Sequence, residues 1–160
     1  FFFLFLSFYS AYKIRTNMID GYEYFLIILL ICISTDIGGY IFGNFFKGPK
    51  LTKISPKKTY SGVIGGYLLS ILFMYLSLNS NFIFEKFHEI TLNIFIFIIL
   101  ISTVSQLGDI AISYFKRLSK IKDTGKIIPG HGGLLDRIDG MIFAYPIAYL
   151  ITNTSIFKYL

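Results

Sequence analysis

The chain alternates between long apolar blocks and short polar ones, and the blocks have the length of membrane crossings. Residues 1–12 (FFFLFLSFYSAY) read as the end of a spanning helix that begins upstream, so the chain is expected to be a fragment lacking N-terminal helices. A hydrophilic stretch with Lys13, Arg15 and Asp20 follows. Residues 22–46 form a first complete span with Asp36 inside it, and a basic loop runs from 47 to 61. A second span covers 62–80, a link with Glu85, Lys86 and Glu89 covers 81–89, and a third span covers 90–115, interrupted by Asp109. Loop 116–137 leads into a final span over 138–157, which contains Pro146. Neighbouring helices let a bundled span tolerate such a proline. A hydrocarbon core of roughly 30 Å needs about twenty helical residues, which these blocks supply. The expectation is an all-α integral membrane protein with a bundle of about four complete transmembrane helices and a partial N-terminal one, forming a single catalytic domain over 1–160.

Composition supports this pattern. Hydrophobic residues make up 54%, aromatics 19% and charged residues 15%, with a mean hydropathy of +0.66. Soluble domains carry about 25% charged residues, so a soluble enzyme, a disordered tail and a disulfide scaffold are excluded. Cys32 is the single cysteine and sits in an apolar run. The net charge of +6 would point to nucleic acid if the lysines shared one wet face. They punctuate the spans instead. Loop 47–61 has five Lys and Arg and loop 116–137 has six, against one in 81–89 and two in 13–21. The positive-inside rule places the two rich loops in the cytoplasm. That predicts a multi-pass protein with its polar site facing the cytoplasm, in the inner membrane if the host is a bacterium. With no basic n-region or small-residue cleavage site at the start, a signal peptide is not expected.

The acids then become the informative residues. An Asp at the bilayer centre costs roughly 2.5–3.5 kcal/mol on insertion scales, so it faces a bundle interior. For Asp36 alone, a helix-to-helix hydrogen bond and a functional role weigh equally. Asp109 belongs to a stripe of Ser102, Ser105, Asp109, Ser113 and Lys116, whose steps of three and four put all five on one helical face. Asp136 and Asp139, at i and i+3, also share a face. Alone, that pair would be an ordinary acidic helix start. The topology brings all four carboxylates to one membrane depth, where a hard divalent cation such as magnesium takes one or two carboxylates plus substrate phosphate.

The remaining motifs differ in weight. Thr35, Gly39 and Gly43, and likewise Gly62, Gly66 and Ser70, are spaced by four and read as close helix packing. Loop 47–61 (KGPKLTKISPKKTYS) lacks the phosphate-loop spacing. Its lysines serve topology and anionic lipid as well as they would serve a phosphate. Pro129-Gly130-His131-Gly132-Gly133 is a turn that exposes backbone N–H groups and leads into a helix, a nest suited to an anion. His131 alone would be a wet loop histidine. With Lys116, Arg117, Lys122 and Arg137 around it, and Asp123, Asp136 and Asp139 interspersed, the loop has the makeup of a metal–polyphosphate site.

Two blocks carry a resemblance. Ser113-x-x-Lys116-Arg117, then Lys122-Asp123-x-Gly125, then Pro129-x-His131-Gly132-Gly133-x-x-Asp136-Arg137-x-Asp139 resembles the signature of phosphatidate cytidylyltransferases. Asp36-x-Gly38-Gly39-Tyr40 through Phe42-Gly43 to Ser55-Pro56-Lys57-Lys58-Thr59 and Gly62 is similar to the family's other recurrent stretch. Together they cover roughly residues 34–146. The chain departs from the pattern at Ile112, where the family usually has an acid, at Tyr60-Ser61 in place of Trp-Glu, and at Gly140 in place of Ser. The resemblance implies condensation of CTP with phosphatidate to CDP-diacylglycerol and pyrophosphate, in phospholipid biosynthesis. It implies magnesium, with Asp109 and Asp136 holding the metal centre and Asp139 beside them.

The chemistry fits these residues without a strong general base, because a phosphate monoester, with a second pKa of about 6, is already anionic near neutral pH. What the reaction needs is alignment and charge neutralisation. The expected roles are metal for Asp109, Asp136 and Asp139, with Asp123 a secondary candidate. Lys116, Arg117, Lys122 and Arg137 are expected to clamp triphosphate and head group, with His131 assisting from the glycine turn of Gly132 and Gly133. Lys57 and Lys58, flanked by Ser55 and Thr59, are expected to close over pyrophosphate. Ser113 lines the substrate site, and Asp36 orients a lysine or a second cation. Expected partners are CTP, phosphatidate in the bilayer and membrane lipids, with a homodimer left open and no nucleic acid. Alternatives are a CTP-dependent transferase or kinase acting on another lipid, an inactive truncated membrane subunit, and an ion or proton transporter.

Overall fold

Residues 1–17, 20–52, 55, 58–79, 91–121, 124–125, 133 and 135–153 are described by the computed structural model, Asn17 and Arg137 by their backbone alone. Among them, regular structure consists of α1 (Phe2–Asn17), α2 (Gly21–Phe46), α3 (Tyr60–Asn79), α4 (Leu92–Leu118), a 3₁₀ turn (Leu135–Arg137) and α5 (Met141–Thr152). No strand occurs among the described residues, and Lys50 and Thr59 form an isolated antiparallel bridge. Helices α2, α3 and α4 are long and apolar enough to cross a membrane, and α5 is a shorter apolar helix. The all-helical membrane bundle expected from the apolar blocks is borne out.

The ends differ from the expected ones for physical reasons. Helix α1 continues past residue 12 because its two cations find aromatic rings: Lys13 Nζ lies 5.6 Å from the Tyr9 ring centre and the Arg15 guanidinium 6.0 Å from that of Tyr22. Helix α4 runs on to Leu118, so Lys116 and Arg117 occupy its last turn, where positive charge offsets the carbonyl end of the helix dipole. Its start is capped by Thr91, whose hydroxyl accepts the Ile94 N–H at 3.3 Å. Helix α5 begins three residues later than expected because Leu135–Arg137 turns as 3₁₀ first. The far end of the expected last span, 154–157, lies outside the described residues, as does the whole 81–89 link.

Helix α2 is central and touches each of the other four α-helices. Its closest neighbour is α3. A Cβ at Gly38 would run into Gly65 O, one at Gly65 into the Phe42 side chain, and one at Gly62 would come 2.8 Å from Gly39 O. The small residues thus serve packing, as their spacing predicted, with Gly38 and Gly65 forming the tightest point. Away from this crossing lies the apolar core, built from Ile27, Ile28, Ile31 and Cys32 of α2, Met74 and Leu78 of α3, Ile94, Phe97, Ile98 and Ile101 of α4, and Ala144, Tyr145 and Ala148 of α5. Asp36 of α2 and Asp109 of α4 lie toward the opposite, polar ends of their helices.

Candidate active site

A cavity of about 330 Å³ opens at that polar end. Helix α2 contributes Thr35, Asp36, Gly39 and Tyr40, α3 contributes Gly62 and Val63, and α4 contributes Gln106, Asp109, Ile110 and Ser113. The steps of three and four within the α2 and α4 sets put one face of each of those helices on the cavity. Leu51, Lys58 and Thr59 close it from the loop before α3, and Asp136 and Asp139 from the turn before α5. Asp36, Asp109, Asp136 and Asp139 therefore share one space, as the topology predicted.

The described residues of the loop that carries Lys58 are held by several hydrogen bonds. Lys47, in the left-handed region at φ 44°, ends α2 and returns its N–H to Gly43 O at 3.2 Å. Leu51 N–H then bonds Lys58 O at 2.8 Å, and Tyr60 N–H bonds Pro49 O at 3.1 Å. Thr59 accepts the Gly62 N–H at 3.2 Å and so caps α3, while Ser61 Oγ accepts the Gly48 N–H at 3.3 Å. The result aims Lys58 Nζ at Asp109 Oδ2, 3.2 Å away, with Gln106 O at 3.5 Å. Ser55 stays outside the cavity lining; its carbonyl accepts the Lys58 N–H at 3.0 Å and its own N–H bonds Thr52 Oγ1 at 3.1 Å.

A second cation sits across the cavity. Lys116 Nζ lies 2.7 Å from Asp136 Oδ1 and 2.5 Å from Asp139 Oδ2. Asp136 also accepts the Thr124 hydroxyl at 2.9 Å, the Thr124 N–H at 3.0 Å and the Gly133 N–H at 2.7 Å. Asp136 sits in the 3₁₀ turn and Asp139 two residues past its end, so their pairing comes from the turns ahead of α5 and not from an α-helix start. Burial works to raise the Asp136 carboxyl, but Lys116, Gly133 and Thr124 outweigh it and hold it at about 2. Burial raises the Asp139 carboxyl above its ordinary value; Lys116 opposes this, and the charges of Asp109 and Asp136 add to it. Asp139 Oδ1 is buried without a hydrogen-bond partner among the described residues.

Can these residues hold a magnesium ion? Among the described residues, no three acidic, histidine or cysteine side chains converge as a ready-made cage. Magnesium does not require one, since one or two carboxylates plus substrate phosphate suffice. Asp109 and Asp139 face the same cavity, and the unpartnered Asp139 Oδ1 is a spare oxygen donor. The donor set fits the ion.

The sequence profile of the Cytidylyltransferase family matches residues 1–155. The chain belongs to that family. Among curated relatives, a phosphatidate cytidylyltransferase of Rickettsia conorii is 45% identical over 132 residues, covering 79% of this chain and 57% of that protein. One of Staphylococcus epidermidis is 38% identical over 150 residues, covering 91% and 54%. The chain spans about half the length of the curated relatives it matches.

For this member of the Cytidylyltransferase family, the structure brings together eight of the seventeen expected site residues. Asp36, Asp109, Asp136, Asp139, Lys58, Thr59 and Ser113 line the cavity, with Lys116 bridging Asp136 and Asp139. Arg117 is turned outward, 3.5 Å from Ile121 O. Gly133 gives its N–H to Asp136, so the anion met by this end of the glycine turn is the chain's own carboxylate. Lys57, Lys122, Asp123, His131, Gly132 and the Arg137 side chain lie outside the described residues. Two residues escaped the sequence reading. Gln106 lines the cavity and sits 3.4 Å from Ser102 Oγ; as a polar residue one turn beyond Ser102 it carried a readable signal. Thr124 had none, because its bonds to Asp136 depend on how the loop folds back.

Proposed function

We propose that this chain carries the catalytic part of a membrane enzyme that condenses CTP with phosphatidate, giving CDP-diacylglycerol and pyrophosphate. The observation that carries the reading is the single cavity in which four carboxylates face Lys58 at one end of an otherwise apolar bundle. Family membership and relatives named phosphatidate cytidylyltransferase support it. The packed core from Ile27 to Ile101 fills the other end of the bundle, which favours a site over a transmembrane path.

In this reading a phosphatidate phosphate oxygen attacks the α-phosphorus of CTP. The new P–O bond forms as the α–β bridge breaks, and pyrophosphate leaves with the bridging electron pair. Magnesium held by Asp109 and Asp139, with Asp136 beside them, would supply charge neutralisation on the phosphates. Lys58 spans the cavity toward Asp109 and is placed to meet pyrophosphate; Lys116 meets the phosphate nearer α5. Their charges remain in place while negative charge builds on the leaving group. The exposed apolar side chains of α2–α4, such as Ile41, Ile64 and Leu107, keep the diacyl portion in lipid. The lysine-rich loops support a cytoplasmic orientation for this end of the bundle, where CTP would reach it.

Membranes containing the chain, supplied with CTP, phosphatidate and magnesium, should release pyrophosphate and accumulate CDP-diacylglycerol. An Asp136→Asn variant with an unchanged rate would sink the assignment of this cavity as the reaction site.

A further inference from the structure

Lys116 lies where a bound cation would lie, and it comes from the protein itself. The ammonium and the two carboxylates it joins are only 11–12% exposed. Asp136 has its other acceptor positions filled by Thr124 and Gly133. Asp139, by contrast, keeps a buried Oδ1 with no hydrogen-bond partner among the described residues. Two carboxylates this close repel each other unless a positive charge sits between them. An ammonium on a flexible four-carbon stem can do this and can still be moved.

We propose that Lys116 is a resident counter-cation, a positioning residue that holds Asp136 and Asp139 in place before substrate arrives and gives way to a divalent cation when one binds at Asp139. The proposal rests on the cytidylyl-transfer reading only for the identity of the incoming phosphate. A divalent ion and an ammonium crowded onto the same carboxylates repel strongly, so the ion alone binds poorly. A cation that arrives with a polyphosphate brings the anion onto which Lys116 can swing, and neither charge is left unpaired. The exchange thereby couples cation binding to nucleotide binding.

The test uses the chain in lipid nanodiscs and manganese, followed by electron paramagnetic resonance without any nucleotide. Lys116→Met, and Lys116→Gln, which keeps a donor without the charge, should bind manganese about tenfold or more tighter than wild type. Lys116→Arg should stay near wild type. Melting temperatures of the Met and Gln variants should fall in EDTA and recover with magnesium, while wild type changes little. Adding Asp139→Asn to Lys116→Gln should remove the gained affinity. Unchanged or weaker manganese binding in both neutral variants overturns the proposal, and so does failure of both to fold with magnesium present. No turnover is measured, so loss of the cytidylyl-transfer reading would leave this result intact, and loss of this proposal would leave that reading standing.

Discussion

The two ends of the bundle use the same helices in opposite ways. Toward Ile27, Leu78 and Ile98, side chains interlock in an apolar core. Toward Asp36, Gly62 and Asp109, the same three helices line a polar cavity, with α2 and α3 still in close contact at Gly39 and Gly62. The apolar end holds the helices, and the polar end is free to spend its residues on charge. Separation along the helix axis keeps each task from compromising the other, a cheaper arrangement than burying ions in the middle of the core.

The largest break in this division is expected at the polar end. Asp139→Asn should lower CDP-diacylglycerol formation by about 100-fold or more while the thermal unfolding followed by circular dichroism changes little. Gly65→Leu strikes the boundary between the halves, because any side chain there collides with Phe42. It should cost about 3 kcal/mol and reduce turnover as well, read by denaturation and assay on one preparation. Ile98→Ala probes the apolar end alone; Ile98 is fully buried, and its truncation should cost about 2 kcal/mol with turnover per folded molecule kept near wild type. The smallest effect is expected at Thr103, whose hydroxyl lies 2.9 Å from Tyr67 Oη across the α3–α4 contact. Thr103→Val should cost about 0.6 kcal/mol, the average for such bonds between membrane helices, and leave activity alone. If Ile98→Ala reduces turnover as much as Asp139→Asn does, the two ends are not separate.

The fold was legible because bilayer thickness makes block length a ruler, and the stripe through Asp109 was legible because helical spacing is regular. Lys116 and Asp109 could be placed by counting. The salt bridge from Lys58 to Asp109 could not, since it depends on how residues 47–59 fold back through the Lys50–Thr59 bridge. The same holds for Asp136, whose partners Thr124 and Gly133 sit in a loop without periodicity. The depth of the acids followed from topology, but their partners followed from turns. The extension of α1 past residue 12 went unread because charge at a helix end looks like a loop until the aromatic partners Tyr9 and Tyr22 are known.

The approach of Gly38 to Gly65 has a mechanical consequence. Where backbones approach this closely few side chains lie between the helices to slide or repack, so α2 and α3 are expected to behave as one stiff wall. Helix α4 meets that wall through side-chain contacts such as Tyr67 with Thr103 and Thr35 with Ser102, which can shear. Any widening of the cavity would therefore fall to α4 and the 135–140 segment and not to the α2–α3 contact.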